Sequence, residues 1–155
     1  MLAAALAVTA LGLAAGVLTA SPARATPPTG VMTEILGGGT TLAGFTIHAD
    51  GIRVASTDAA DFTVLHLTFA PGGTTGWHAH PGPALVIVTT GSVTTYSAQD
   101  CTAQTYTAGQ AFVQNGPTDE NMVRNDGSVP AETIVTFITP LGAPLRGDPP
   151  PGCNP

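Results

Sequence analysis

Two of the four histidines in this chain stand one residue apart, in Gly76-Trp77-His78-Ala79-His80-Pro81. On an extended segment residues i and i+2 project from the same face, so both imidazoles point one way and Trp77 points the other. A converging pair of imidazoles can grip one metal ion or the polar edge of one small ligand. Pro71-Gly72-Gly73 precedes the pair and Pro81-Gly82-Pro83 follows it, which puts it at a strand end where the chain turns. The spacing predicts a metal or ligand site at the mouth of a β-structure.

The other candidates are less pointed. His66 lies in Val64-Leu65-His66-Leu67-Thr68-Phe69. If Leu65, Leu67 and Phe69 fill a barrel it faces outward; if the strand is inverted it becomes a third imidazole. The outward reading gives the core to the apolar set. His48, beside Asp50-Gly51, reads as a surface residue at a turn. Trp77 and Arg124 are candidates for a ligand pocket. Trp77 either packs or lines it, and Arg124 either reaches an anionic ligand or pairs with a nearby carboxylate. Tyr96 and Tyr106 read as packed rings on strands bordering the Cys101 loop. Ser92 in Thr90-Gly91-Ser92-Val93 lacks the nucleophile elbow, and there is no phosphate loop, dinucleotide fingerprint or His-Glu-x-x-His.

Composition sets the compartment and the partners. Leu2 to Ala20 is an apolar run, and Ala23-Arg24-Ala25 is a small-x-small cleavage site, the layout of a secretory signal peptide cut after Ala25. No Lys or Arg precedes the run, and an uncleaved membrane anchor is the rival reading. The expected location is secreted or extracytoplasmic, with no membrane association once the signal is removed. After Ala25 the basic residues are Arg53, Arg124 and Arg146, against ten acidic residues, so nucleic acid and anionic lipid are poor partners. A small molecule is the expected partner. Cys101 and Cys153 are the only cysteines, and an even count in an exported chain reads as one disulfide, two unrelated thiols being the alternative. That bond would clamp the Pro-rich tail onto the Asp100 loop.

The elements that must position these groups are short and β-branched. Candidate strands are Gly44–His48, Ile52–Ser56, Phe62–Phe69, Gly76–His80, Ala84–Thr89, Val93–Ser97, Ala111–Gln114, Asn121–Asn125 and Glu132–Thr139. Gly, Pro and Asn-Gly or Asp-Gly pairs punctuate them. This rhythm predicts an all-β sandwich or barrel with no helix outside the signal. Gly91 is expected to turn a hairpin between Ala84–Thr89 and Val93–Ser97, and Asp126-Gly127 a second one into Val129–Val135. Val31 to Leu36 is short and apolar, with Gly37-Gly38-Gly39 as a breaker. The division is therefore signal peptide 1–25, linker or N-terminal arm 26–40, barrel 41–142 and Pro-rich tail 143–155. Leu85 to Val88 is apolar on both faces, which suggests a covered outer face, and a homodimer is one expectation.

Gly72, followed after five residues by His78-Ala79-His80 and later by Gly91, resembles the first motif of the cupins. Gly109-Gln110-Ala111-Phe112-Val113 and Asn121-Met122-Val123-Arg124-Asn125 occupy the places of the second. More narrowly, the chain is similar to small exported single-domain cupins of GC-rich bacteria. The resemblance implies a double-stranded β-helix, a jelly-roll barrel whose mouth holds the site. It also implies one divalent metal on two histidines, a glutamate and a third histidine. Ala84 stands at the glutamate position and Asn121 at that of the last histidine. An alanine cannot ligate, and an amide oxygen is a weak ligand for Zn, Fe, Ni or Cu.

Within Thr118-Asp119-Glu120-Asn121, an extended backbone puts Asp119 and Asn121 on one face. They would offer oxygens opposite His78 and His80, a two-histidine, one-carboxylate set suited to Fe(II) or Mn(II). Alternatively Asn115 to Asn121 is a solvated turn whose acids serve solubility. Two main readings follow. The first is a binding module for a small polar ligand or a loosely held divalent metal (Fe, Mn, Zn, Ni or Cu), or for no metal at all. The second is a metal-dependent oxygenase or isomerase using His78, His80 and a carboxylate. A structural envelope protein with a vestigial pocket is a third, weaker option.

Overall fold

A computed structural model describes residues 26–149 and 152–153. The expected signal peptide, residues 1–25, lies outside the described residues, as do Pro150, Pro151, Asn154 and Pro155 of the tail. Ten strands and no helix make up the described residues. In chain order they are β1 (Thr29–Thr40), β2 (Phe45–Ala49), β3 (Ile52–Ser56), β4 (Ala60–Thr74), β5 (Ala84–Thr90), β6 (Ser92–Ser97), β7 (Ala103–Thr107), β8 (Ala111–Gln114), β9 (Asn121–Arg124) and β10 (Ala131–Pro140).

Alternation decides which side chains turn inward. On β5, Ala84, Val86 and Val88 are buried while Leu85 and Ile87 are exposed, and β10 alternates in the same way from Ala131 to Thr139. Eight strands form one sheet in the order β7-β6-β9-β4-β10-β5-β8, with β1 on the free flank of β4; all pairs are antiparallel. Val93 of β6 and Val86 of β5 are four places apart in that order, yet both belong to one core with Phe69, Phe112, Val123 and Phe137. A sheet whose distant strands share a core has curled into a barrel. Phe69 is fully buried at its centre, which contributes about 1.5–3 kcal/mol. The expected all-β jelly-roll barrel is what the chain forms.

Both expected hairpins are corrected. β5 pairs with β10 and β8, whereas β6 pairs with β7 and β9, so the Gly91 turn carries the chain between two strands that do not pair. Gly91 has φ +67°, and a Cβ there would lie 2.7 Å from the Pro130 carbonyl. Asp126-Gly127 likewise joins β9 to β10, which are separated by β4. A jelly roll wraps its chain as a double strand, so tight turns at the corners link neighbours in sequence that are not neighbours in the sheet. Asp50-Gly51, read from sequence as a turn, closes a two-residue hairpin between β2 and β3, with φ 40° and 87°.

Two further strands depart from expectation. β1 runs straight through Gly37-Gly38-Gly39 along β4, with irregularities at Thr29/Val31 and Ile35/Gly37. A Cβ on Gly38 would sit 2.9 Å from the Phe62 carbonyl, so this glycine permits close pairing and does not break the strand. β7, absent from the candidate strands, forms a true hairpin with β6.

Candidate functional site

The chain leaves β4 through Gly76, at φ +67°, where a Cβ would collide with the Thr26 carbonyl. The next residues form no full strand, in contrast to the expected Gly76–His80. They make two isolated bridges, His78 to Asn121 at the start of β9, and Ala79 to Gly147 of the C-terminal segment. His78 N–H donates to the Asn121 carbonyl at 2.9 Å and Asn121 N–H donates back at 2.9 Å. One side of the His-Ala-His tripeptide is thus held by β9 and the other by the tail.

The two imidazoles converge as their spacing predicts. Their ring centroids are 4.7 Å apart with planes at 78°, and both residues are buried, 4% and 6% exposed. His78 Nδ1 lies 2.9 Å from the Gly76 carbonyl, which places the proton there and leaves Nε2 with its lone pair. Burial first, and the neighbouring His80 second, push the His78 pKa down to about 3. The pKa of His80 is also lowered, chiefly by burial. Both rings are neutral at ordinary pH.

His80 is held at both nitrogens. Nδ1 is 2.6 Å from the Leu145 carbonyl and Nε2 is 3.0 Å from Oε1 of Gln114. Gln114 Nε2 pairs in turn with Asn121 Oδ1, and Asn121 Nδ2 donates to the Asp119 carbonyl at 2.9 Å. The relay runs from Leu145 through His80, Gln114 and Asn121 to Asp119, and both of its ends are carbonyls that only accept. Its four links need four donating ends, but a neutral imidazole and two carboxamides each donate at only one end of their own and so supply three. One contact in this buried row is always short of a hydrogen, at a cost of about 1–3 kcal/mol.

Gln114 is the residue that sequence reasoning missed. Its signal was present: alternation along Ala111-Phe112-Val113-Gln114 sends Phe112 and Gln114 to one side, and both are buried. Asn121, expected as a ligand opposite the histidines, hydrogen-bonds Gln114 and the Asp119 carbonyl and neither imidazole ring. Asp119 does not offer a ligand oxygen to the pair in this arrangement. Its Oδ2 accepts the Asn115 backbone N–H at 2.7 Å and the Asn115 side-chain amide at 3.3 Å, capping the turn. Among the described residues no three His, Cys, Asp or Glu side chains are grouped to hold a metal. The donors nearest the histidines are neutral amides, one of them occupying His80 Nε2. This set fits a tightly bound divalent metal poorly.

Trp77 and Arg124, expected to line a ligand pocket, sit on the outer face of the β6–β9 pair. Trp77 packs with Tyr96 and Met122 under Ala98 and Cys153. Arg124 stacks 4.8 Å over the Tyr96 ring, forms an ion pair with Asp126 and donates to the Tyr96 hydroxyl at 2.8 Å. The neighbouring carboxylate, the second of its two expected roles, is the one observed. His66 faces outward, 3.2 Å from Glu132 and 3.7 Å from Glu34. His48 is exposed on β2.

Cys101 and Cys153 form the expected disulfide, with Cα atoms 5.8 Å apart. It ties down a strap that crosses the histidine end of the barrel. Arg146 anchors the strap by donating to the carbonyls of Thr75 (2.7 Å), Trp77 (3.2 Å) and Thr26 (3.3 Å). Gly152 lies against Trp77, where an added Cβ would come within 3.1 Å of the indole. In front of Gln114 and Asn121, between β6–β7 and β8, a cavity of about 240 Å³ opens. A second cavity, bordered by His80, Pro81, Pro117 and Pro144, lies under the strap.

No protein-family model and no curated protein sequence matches the chain. Among solved structures it is similar to an oxalate oxidase in complex with the substrate analogue glycolate, at 24% identity and TM-score 0.45, over 49% of this chain and 41% of that one. It is similar to the Cupin_2 domain of an XRE-family transcriptional regulator from Enterobacter cloacae, at 16% identity and TM-score 0.47, over 72% of this chain and 98% of that one. A cupin domain from Bordetella pertussis aligns at 21% identity and TM-score 0.45, over 63% and 95%. The aligned region thus spans about two fifths of the oxalate oxidase.

Proposed function

We propose that this chain is an exported cupin-type binding domain that takes a small polar ligand at the mouth of its barrel. The observation that carries this reading is the proton-deficient row from His80 through Gln114 to Asn121, whose two carboxamides line an open polar cavity while His80 lies behind them. A ligand hydroxyl, which both donates and accepts, supplies the missing hydrogen without charging the buried imidazole. A divalent metal enters the same place loosely, because it must displace Gln114 from His80 and gains no anionic donor. Export is supported by the apolar run ahead of Ala23-Arg24-Ala25 and by the disulfide; no helix among the described residues is long and apolar enough to cross a membrane.

The oxygenase or isomerase reading needs a carboxylate oxygen on the histidines, and Asp119 spends Oδ2 on Asn115 and hydrogen-bonds neither imidazole. Metal content separates the two readings. Untagged mature protein is incubated with Fe(II), Mn(II), Zn(II), Ni(II) or Cu(II) and desalted, beside His78→Ala. Retention well below one metal per chain is expected. Near-stoichiometric retention that His78→Ala abolishes would restore the enzyme reading.

The partner reading is a homodimer formed through the outer face of β5 and β8. Leu85, Ile87 and Val113 are 43%, 51% and 55% exposed there, on adjacent strands with no charged residue between them. Two copies of such a face, related by a twofold axis, cover each other's apolar side chains.

A further inference from the structure

The same cavity defines the chemical class of its guest, an inference that rests on the binding reading above. Its lining contains no lysine, arginine or histidine. Its one charge is the carboxylate of Asp119, whose Oδ2 is taken by Asn115 while Oδ1 has no hydrogen-bond partner among the described residues. The remaining polar groups are neutral hydroxyls and carboxamides, among them Thr95, Gln104, Gln114 and Asn121. Gln104 donates to the Thr105 carbonyl at 3.2 Å, leaving its own amide oxygen open. Tyr106 and Phe112 supply an apolar wall, their rings 4.6 Å apart and inclined by 30°.

A carboxylate entering this space would lose water beside Asp119 with no cation to replace it, and an unpaired buried anion is costly. A quaternary ammonium carries no N–H, so beside the half-engaged carboxylate the amide and hydroxyl oxygens around it stay unanswered. The tilted ring pair packs on itself and forms no cage around a cation. A ring bearing several hydroxyls answers each group: its O–H bonds meet the amides and Asp119, and its C–H face lies on the aromatic wall. At about 240 Å³ the cavity is smaller than a drug-sized site and suits one such ring. We infer that the mouth binds a neutral polyhydroxylated ring, of the size of a single sugar unit, and discriminates against small carboxylates.

The test is a side-chain amide NMR titration of the mature, disulfide-bonded protein with glucose, galactose and mannose, with glycolate, and with choline. At least one sugar is expected to shift the Gln104, Gln114 and Asn121 carboxamide signals saturably, with affinity at least about tenfold above that for glycolate or choline. Tyr106→Ala and Gln104→Ala should each weaken the sugar response several-fold, and Tyr106→Phe should retain most of it. Gln104 is on the exposed edge strand β7, so its variant tests the polar lining without threatening the core. Shifts by glycolate or choline alone would overturn the inference and leave the binding reading standing. Shifts by none of these probes would overturn both.

Discussion

Gln114 Oε1 lies 3.0 Å from His80 Nε2 and closes the imidazole pair off from the cavity in front of it. Both residues are buried, and each depends on the other for a hydrogen-bond partner. Gln114→Leu keeps the bulk and removes both ends of the bridge, stranding His80 Nε2 and Asn121 Oδ1. The variant should lose about 1–3 kcal/mol in urea unfolding. Gln114→His places a third imidazole where the amide stood, and Ni(II) or Zn(II) affinity should rise at least tenfold over wild type. If isothermal titration finds no gain, Gln114 does not face the pair as described.

Acid should weaken the fold through the same histidines. In the unfolded chain they titrate near the ordinary value of 6.5, whereas burial holds His78 near 3 and lowers His80 as well. Between those limits the unfolded chain binds more protons than the folded one. The stabilising contribution of His78 is therefore complete above about pH 6.5 and is lost as pH falls toward 3, at up to about 1.4 kcal/mol per pH unit, and that of His80 is lost in the same direction. Urea midpoints measured from pH 7 to pH 4 should fall, and fall less steeply for His78→Gln. Parallel slopes for the two proteins would show that His78 is not held neutral.

The histidine pair and the barrel were legible because both rest on period-two alternation, which a strand imposes locally. Leu65 and Phe69 turn inward where the pattern puts them, with Leu67 packed partly buried against the same core. The links between strands were not legible. The Gly91 and Asp126-Gly127 turns have hairpin composition, yet in a doubly wound chain the partner of β5 is β10, more than forty residues later in sequence. Gly37-Gly38-Gly39 reads as a breaker until the nearby Phe62 carbonyl explains it. The placement of Trp77 depends on the strap, whose path no local pattern encodes, and that of Arg124 on Tyr96, which pairing of β6 with β9 brings beside it. Gln114 was overlooked because a lone glutamine on a short strand looks like surface until Phe112 fixes the face.

The outer face of β5 predicts concentration-dependent association. Leu85 and Ile87 alternate with the core residues Val86 and Val88, so a charge there leaves the interior untouched. Ile87→Glu should convert a dimer to a monomer in light scattering, with stability changed by less than about 1 kcal/mol once dimer dissociation is allowed for. A monomeric wild type at all concentrations would end the homodimer reading.

Thr26, the residue that cleavage after Ala25 would make the first, is already stitched into the site. Its hydroxyl accepts the Trp77 N–H at 2.8 Å and its carbonyl accepts from Arg146. Amino-terminal sequencing of exported protein should begin at Thr26, and Thr26→Ala should lower stability by about 1 kcal/mol. A chain that retains Met1 in a membrane fraction would favour the anchor.

The strap gives the last prediction. Arg146, the Ala79–Gly147 bridge and the Cys101–Cys153 bond hold it at three points across the end where His78 and His80 lie. Reducing the bond frees a loop with a sequence separation of 52, worth up to about 4 kcal/mol in the chain-entropy view. The apolar contacts of Trp77, Tyr96 and Met122 remain beneath the strap, so it should loosen and not detach. Cys153→Ser is expected to lower the urea midpoint and to raise the rate at which diethyl pyrocarbonate modifies His80, whose Nδ1 partner Leu145 belongs to the strap. His78 should change less, because its partners Gly76 and Asn121 belong to the barrel. Equal acceleration at both histidines would mean that the barrel end itself opens and that the strap is no separate cover.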